Sequence, residues 1–225
     1  MPDPVPRGVK FGTLHSYTDL KLILQKTDPG PAPARINRIP LRGASGSVDL
    51  TEALGIGVTY DDRTMRWTFA VKPGEVWTTT RRAVANALNG QAFNIYPDDE
   101  SGWYYAGRCT VESYASDNLL KQIVISAVCD PYIYKSSATH VTGTINTTAA
   151  SFTLNNSASA RGVLPAIVTD KETVLSDGTN TATIAAGTRR VPSWMYLQPF
   201  SSVTFTAKTT SGTGSIDVYW REAQL

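Results

Sequence analysis

The side chains able to do chemistry are few and far apart. The chain has two imidazoles, His15 and His140, and two thiols, Cys109 and Cys129. A nucleophile needs a base within hydrogen-bond reach, and neither histidine sits in a nucleophile motif. Two cysteines and two distant histidines also fail every metal-ligand spacing, so no catalytic residue, metal or cofactor is expected. Asp98-Asp99-Glu100 gathers three carboxylates that could hold calcium or serve a hydrolase, but it lacks the alternating oxygen ligands of a calcium loop. Between Tyr96-Pro97 and Ser101-Gly102 it reads as a solvated hairpin tip. Gly55-Ile56-Gly57 and Gly212-Thr213-Gly214 are lone triplets without the strand-to-helix context that phosphate binding requires. Asn146-Thr147-Thr148 and Asn155-Asn156-Ser157 match the glycosylation pattern, which matters only on secretion. Trp194 and Tyr196 could stack on a sugar; the alternative is that Met195-Tyr196-Leu197 is a core segment.

Composition narrows the classes further. In 225 residues, 21 cations against 19 anions give a net charge of +2, with both signs interspersed, so no counterion-displacing surface for nucleic acid is expected. The longest apolar stretch, Ile123 to Val128, is interrupted by Ser126 and far shorter than the roughly 20 residues a bilayer needs. The N-terminus, Met1 to Arg7, carries no apolar core or cleavage site, so synthesis in a cytosol is expected. In that reducing compartment the two cysteines are expected as buried free thiols.

The elements that must position these residues are mostly strands. From Arg63 to Lys72, Met65, Trp67, Phe69 and Val71 alternate with Arg66, Thr68, Ala70 and Lys72, which is the period of a strand with one buried face. Further strands are expected at Val9–Thr13, Leu20–Gln25, Phe93–Tyr96, Trp103–Tyr114 and Leu119–Cys129. The last two form a hairpin turning at Ser116-Asp117, which sets Cys129 opposite Tyr104 and leaves the thiols about 17 Å apart at 3.4 Å per residue. One helix is expected, with Thr78 as its cap, Val84, Ala87 and Leu88 on its apolar face and Asn89-Gly90 at its exit. From Thr27 to Gly46, prolines at 29, 31, 33 and 40 forbid a central strand. That segment is an extended loop or protruding hairpin carrying Arg35, Arg38 and Arg42, and a projecting loop of this length points to an interface.

Composition changes near residue 135: Ser and Thr make up 18 of the first 135 residues and 28 of the last 90, while 15 of 21 cations precede the change. Two domains are therefore expected, 1–135 and 136–225, with Lys135–His140 as a polar linker. The second shows short strand signals at Val141–Asn146, Ser151–Asn155, Ala166–Thr169, Thr181–Ala185, Val203–Lys208 and Ser215–Arg221, the spacing of a β-sandwich. A turn at Ser211-Gly212 would pair the last two, with Val203 facing Trp220 and Phe205 facing Val218.

An ordered set of segments then resembles a known family. It comprises Leu20-Lys21-Leu22-Ile23-Leu24, the run Ile39-Pro40-Leu41-Arg42-Gly43-Ala44-Ser45-Gly46-Ser47-Val48-Asp49-Leu50-Thr51-Glu52-Ala53-Leu54, and Tyr60-Asp61-Asp62-Arg63 before the alternating strand. Trp77 opens the helix, and Tyr104-Tyr105-Ala106-Gly107-Arg108, Cys129-Asp130-Pro131-Tyr132 and the terminal Val218-Tyr219-Trp220-Arg221 complete it. Leu41 and Ala44 depart from the pattern, which has Gly after the proline and an acidic residue after Arg42-Gly43. The set resembles the distal tail proteins of long-tailed, non-contractile bacteriophages. The resemblance implies an all-β fold with one packed helix: an N-terminal β-rich domain that forms a six-membered ring, then a galectin-like β-sandwich. It implies a non-enzymatic baseplate hub at the distal end of the virion's tail, made in the host cytoplasm and using no cofactor. Its implied partners are five further copies of itself, the tail tube protein, a tail-tip hub or tail-associated lysin, the tape measure and receptor-binding proteins. The other functional classes are a carbohydrate-binding module acting through the second domain and a hydrolase using Asp98, Asp99 or Glu100.

Overall fold

The computed structural model describes residues 6–43, 45–53, 58–116 and 120–225. The N-terminal Met1–Val5, Ala44, the Gly55-Ile56-Gly57 triplet and the Asp117 expected at a hairpin turn lie outside the described residues. Contacts divide the chain into two units, residues 1–133 with Leu225, and Tyr134–Gln224. Of the Lys135–His140 segment expected as a linker, Ser136–Ala138 lie between two strands, of which Lys135 ends one and Thr139 begins the next.

The first unit holds strands β1 (Val9–Phe11), β2 (Leu14–His15), β3 (Leu22–Pro29), β4 (Arg38–Pro40), β5 (Ser47–Asp49), β6 (Arg63–Val71), helix α1 (Trp77–Leu88), β7 (Ala92–Pro97), β8 (Trp103–Ser116) and most of β9 (Lys121–Lys135). The main sheet runs β2-β1-β7-β8-β9-β6-β3, and β4-β5 stands apart as a two-stranded sheet. The alternation that predicts β6 holds: Met65, Trp67 and Phe69 are fully buried. Phe11 meets Trp67 edge-on at 5.6 Å between ring centres, a favoured geometry for aromatic rings in a core. Val84 and Leu88 of α1 close the same core. The helix starts one residue before the expected cap: Val76 precedes Trp77 and makes no side-chain cap, so Thr78 lies within the helix. At its exit Gly90 takes the left-handed conformation (φ 76°), and Asn89 Oδ1 accepts from the Val111 N–H at 3.1 Å, fastening the helix to β8.

Two strand readings in this unit are corrected. β3 extends to Pro29, pairing Thr27 with Trp67 and Pro29 with Met65. Proline is tolerated there because β3 is the sheet's edge. In the β8–β9 hairpin, Cys129 lies against Gly107 rather than Tyr104. Strand β8 runs on to Ser116, beyond the Tyr114 end expected for it, and this displaces the pairing.

The second unit holds β10 (Thr139–Ile145), β11 (Ala150–Asn155), β12 (Ala166–Thr169), β13 (Thr173–Ser176), β14 (Thr181–Ile184), β15 (Gly187–Arg190), β16 (Ser202–Thr209), β17 (Gly214–Trp220) and β18 (Ala223–Gln224). Two antiparallel four-stranded sheets, β10-β17-β12-β15 and β11-β16-β13-β14, share one apolar core that includes Leu154, Ile167, Leu175, Phe205 and Val218. The expected β16–β17 hairpin is corrected, because the two strands belong to different sheets. Phe205 and Val218 do both point inward, but Phe205 pairs with Phe152 and Val218 with Val141. Burial parity is satisfied equally by neighbours in one sheet and by strands on opposite sides of one core.

Candidate functional site

The least ordinary surface is the excursion between β3 and β6. Its stem is closed by the Ala34–Tyr60 bridge, with the Arg35 N–H donating to Thr59 O and the Asp61 N–H to Pro33 O, both at 2.8 Å. Beyond the stem, β4 and β5 pair Arg38 with Asp49, Ile39 with Val48 and Pro40 with Ser47, and all six residues are exposed. Asp49 is the local organiser. It accepts from the hydroxyl and the N–H of Thr51, and these bonds, with Arg38, hold its carboxyl below the usual range.

The structure places the three arginines on this arm but does not gather them. Arg35 bonds Asp61, and Arg38 bonds Asp49 at 3.4 Å, both in exposed pairs of the kind that contribute little. Arg42 is exposed and has no ion-pair partner among the described residues. The feature that reasoning from charge overlooked is apolar. Ile36, Ile39, Leu41, Val48 and Val58 are five of the twelve exposed large apolar side chains among the described residues. The signal lay in the sequence as branched aliphatics within a Pro/Gly-rich stretch where no core was available to receive them.

The other chemical groups are occupied locally. His15 Nδ1 accepts from the Tyr17 N–H at 3.2 Å, so its Nε2 carries the proton and donates to Asp98 Oδ2 at 3.1 Å. Asp98 also accepts from the Gly8 N–H at 2.7 Å, and Glu100 accepts from the Tyr105 hydroxyl at 2.8 Å. The three carboxylates sit at the tip between β7 and β8, as expected. His140 bonds Asp217 at 3.0 Å and stacks on Tyr219. Asn146 and Asn155 each cap their own turn, accepting from the N–H groups of Thr148 and Ser157. Trp194 is partly buried and packs on the sandwich core, whereas Tyr196 is exposed. Both cysteines are buried and free, and burial pushes both thiols up to about 12. Cys129 lies against Gly107, two residues from Cys109, so the expected 17 Å is corrected to about 7 Å at 3.4 Å per residue. Among the described residues no group of three or more His, Cys, Asp or Glu is placed to hold a metal ion, and no helix is long and apolar enough to cross a membrane.

An all-β protein of two units with one helix and an exposed apolar arm is the class these observations define. No family model matches the sequence, and no curated protein matches it. Among solved structures, the chain shares its fold with the Dit protein of phage SPP1, described as a paradigm of the hub adsorption apparatus of phages infecting Gram-positive bacteria. The TM-score is 0.65 at 17% identity, over 97% of this chain and 99% of that one.

Proposed function

We propose that this chain is the structural hub of a phage tail tip. Six copies form a ring through the first unit, which joins the tail tube to the tail-tip hub or tail-associated lysin, the tape measure and the receptor-binding proteins. The second unit is a galectin-like sandwich at the periphery, and the protein acts without catalysis in the virion. The fold shared along the whole chain with a phage hub protein supports this reading. The arm carries it: a two-stranded hairpin is marginal in water, and one exposing five large apolar side chains gains its cover from another chain.

Light scattering on the purified protein tests the ring. Six chains of 24.3 kDa give about 146 kDa. Replacing residues 36–52 by a short Gly/Ser link should leave a folded monomer. A wild-type monomer at every concentration would overturn self-assembly of the isolated protein.

A further inference from the structure

We propose that Phe200 is a docking anchor: one copy of this chain seats its Phe200 ring in a recess lined by Ala34, Ile36 and Val58 of the next copy. The inference rests on the ring reading and adds to its first-unit contacts one between the second unit of one copy and the arm of the next.

Phe200 has φ 54°, in the left-handed region that bulky side chains rarely enter. Nine glycines take positive φ among the described residues, and the only other non-glycine to do so is Lys21. A folding argument alone would place Gly or Asn at such a turn. The chain places a phenylalanine there and leaves it 67% exposed, so its own core returns nothing for the strain.

The turn is nevertheless fixed firmly. Asn156 and Ser159, both fully buried, hold it from beneath. The Asn156 N–H donates to Ser201 O at 2.8 Å, its Nδ2 donates to Gln198 O at 3.0 Å and Arg161 O at 3.2 Å, and the Phe200 N–H donates to Ser159 O at 3.0 Å. The backbone that carries the ring is therefore held before any partner arrives, which lowers the ordering cost of binding.

The chemistry of the turn selects the partner. Ser159 and the Asn156 Nδ2 are spent on backbone groups, the Asn156 Oδ1 is buried beneath the surface, and Ser201 Oγ donates to Gln198 O at 2.8 Å. These polar side chains are not left to converge on sugar hydroxyls around the ring, so what the turn offers is hydrocarbon. This chain also carries a fitting socket. Ala34, Ile36 and Val58 line a recess of about 450 Å³, with Thr51, Asp49 and Glu52 completing it. The segments under Phe200, residues 155–161 and 198–201, contain no carboxylate to repel the recess, whose Glu52 and Arg38-paired Asp49 carry its negative charge; their one cation, Arg161, donates to the Tyr134 hydroxyl. Knob and socket lie at different places on one chain, so copies can pass the contact on head-to-tail, the arrangement that the ring reading requires.

The test uses full-length protein. Phe200→Cys and Val58→Cys chains are mixed with a short bismaleimide, the native cysteines being buried. A covalent two-chain product should form in the mixture and in neither chain alone. Separately, Phe200→Gly should shift the unfolding midpoint upward at concentrations where the chain is monomeric, yet weaken ring assembly at least tenfold. A structural role for Phe200 would instead lower the midpoint. A wild-type ring with no cross-link in the mixture, or a Phe200→Gly ring as tight as wild type, overturns this contact and leaves the ring standing. A wild-type chain that never assembles overturns both.

Discussion

Two antiparallel strand pairs in the first unit, β6 with β9 and β4 with β5, obey the same hydrogen-bonding rules and meet opposite fates. Along β6–β9, Met65, Trp67 and Phe69 oppose Ala127, Ile125 and Ile123, and all six side chains are buried. Along β4–β5, Ile39 opposes Val48 and both stand in solvent. Backbone pairing is equal in kind, so burial decides which pair is held by its own chain. On the proposed reading, the arm leaves a favourable interaction for another molecule to complete.

The largest effects should come from the buried pair. Trp67→Ala removes a fully buried ring at the centre of the aromatic cluster, and a loss of about 3–5 kcal/mol in equilibrium denaturation is expected. Ile39→Ala on the arm should change monomer stability by less than about 0.5 kcal/mol while weakening the ring. Equal losses at both sites would erase the distinction between them.

Alkali should act on the buried side alone. Burial first of all raises Cys109 and Cys129 to about 12 from an ordinary 9.0, and burial followed by Glu100 raises Tyr105. With a folded pKa above the unfolded one, the stabilisation is complete below pH 9 and is lost as pH rises toward 12, because the unfolded thiols release protons first. Each thiol should cost about 1.4 kcal/mol per pH unit in that window. Urea titrations at pH 8, 9 and 10 with reductant would show the slope, and a Cys109→Ala, Cys129→Ala chain should lose most of it. A flat profile would mean that these thiols are not sequestered in the native state.

Gly107→Ala should come next in size. A methyl there would meet Cys129 Sγ and the Val128 carbonyl, and overpacking of this kind costs about 1–3 kcal/mol. Relief by Cys129→Ala in the same chain would establish that the contact is the cause; an additive pair would place the strain elsewhere.

What could be read from the sequence follows the same division. Where one face is buried, period-two alternation marks the strand, as in β6, and the i, i+3, i+4 spacing marks α1. β15 reads Gly-Thr-Arg-Arg and is wholly exposed at a sheet edge, so no apolar alternation announces it. β13 is only four residues long, Thr173–Ser176, too short for its alternation to register. The β16–β17 pairing misled because both strands bury alternate residues in one core. The arm's arginines were legible as charges, but its aliphatics and Phe200 were not legible as contacts, since their significance is that the described residues leave them exposed.

The smallest expected effect separates charge from apolar area on the arm. Arg35 and Arg38 are each held by a carboxylate of the same chain, Asp61 and Asp49, in exposed pairs that water and salt screen. Breaking them loosens the arm slightly and removes little from a neighbour. Arg42, at the turn beyond β4, is the cation of the three that a neighbouring copy could still use. Changing all three to Ser should therefore weaken the ring by no more than Arg42→Ser alone, within about 0.5 kcal/mol, and both should fall short of Ile36→Ser with Ile39→Ser. Sedimentation equilibrium across a salt series measures the difference. If the arginine triple dissociates the ring while the isoleucine pair leaves it intact, the arm binds by charge and its exposed aliphatics do not make the contact.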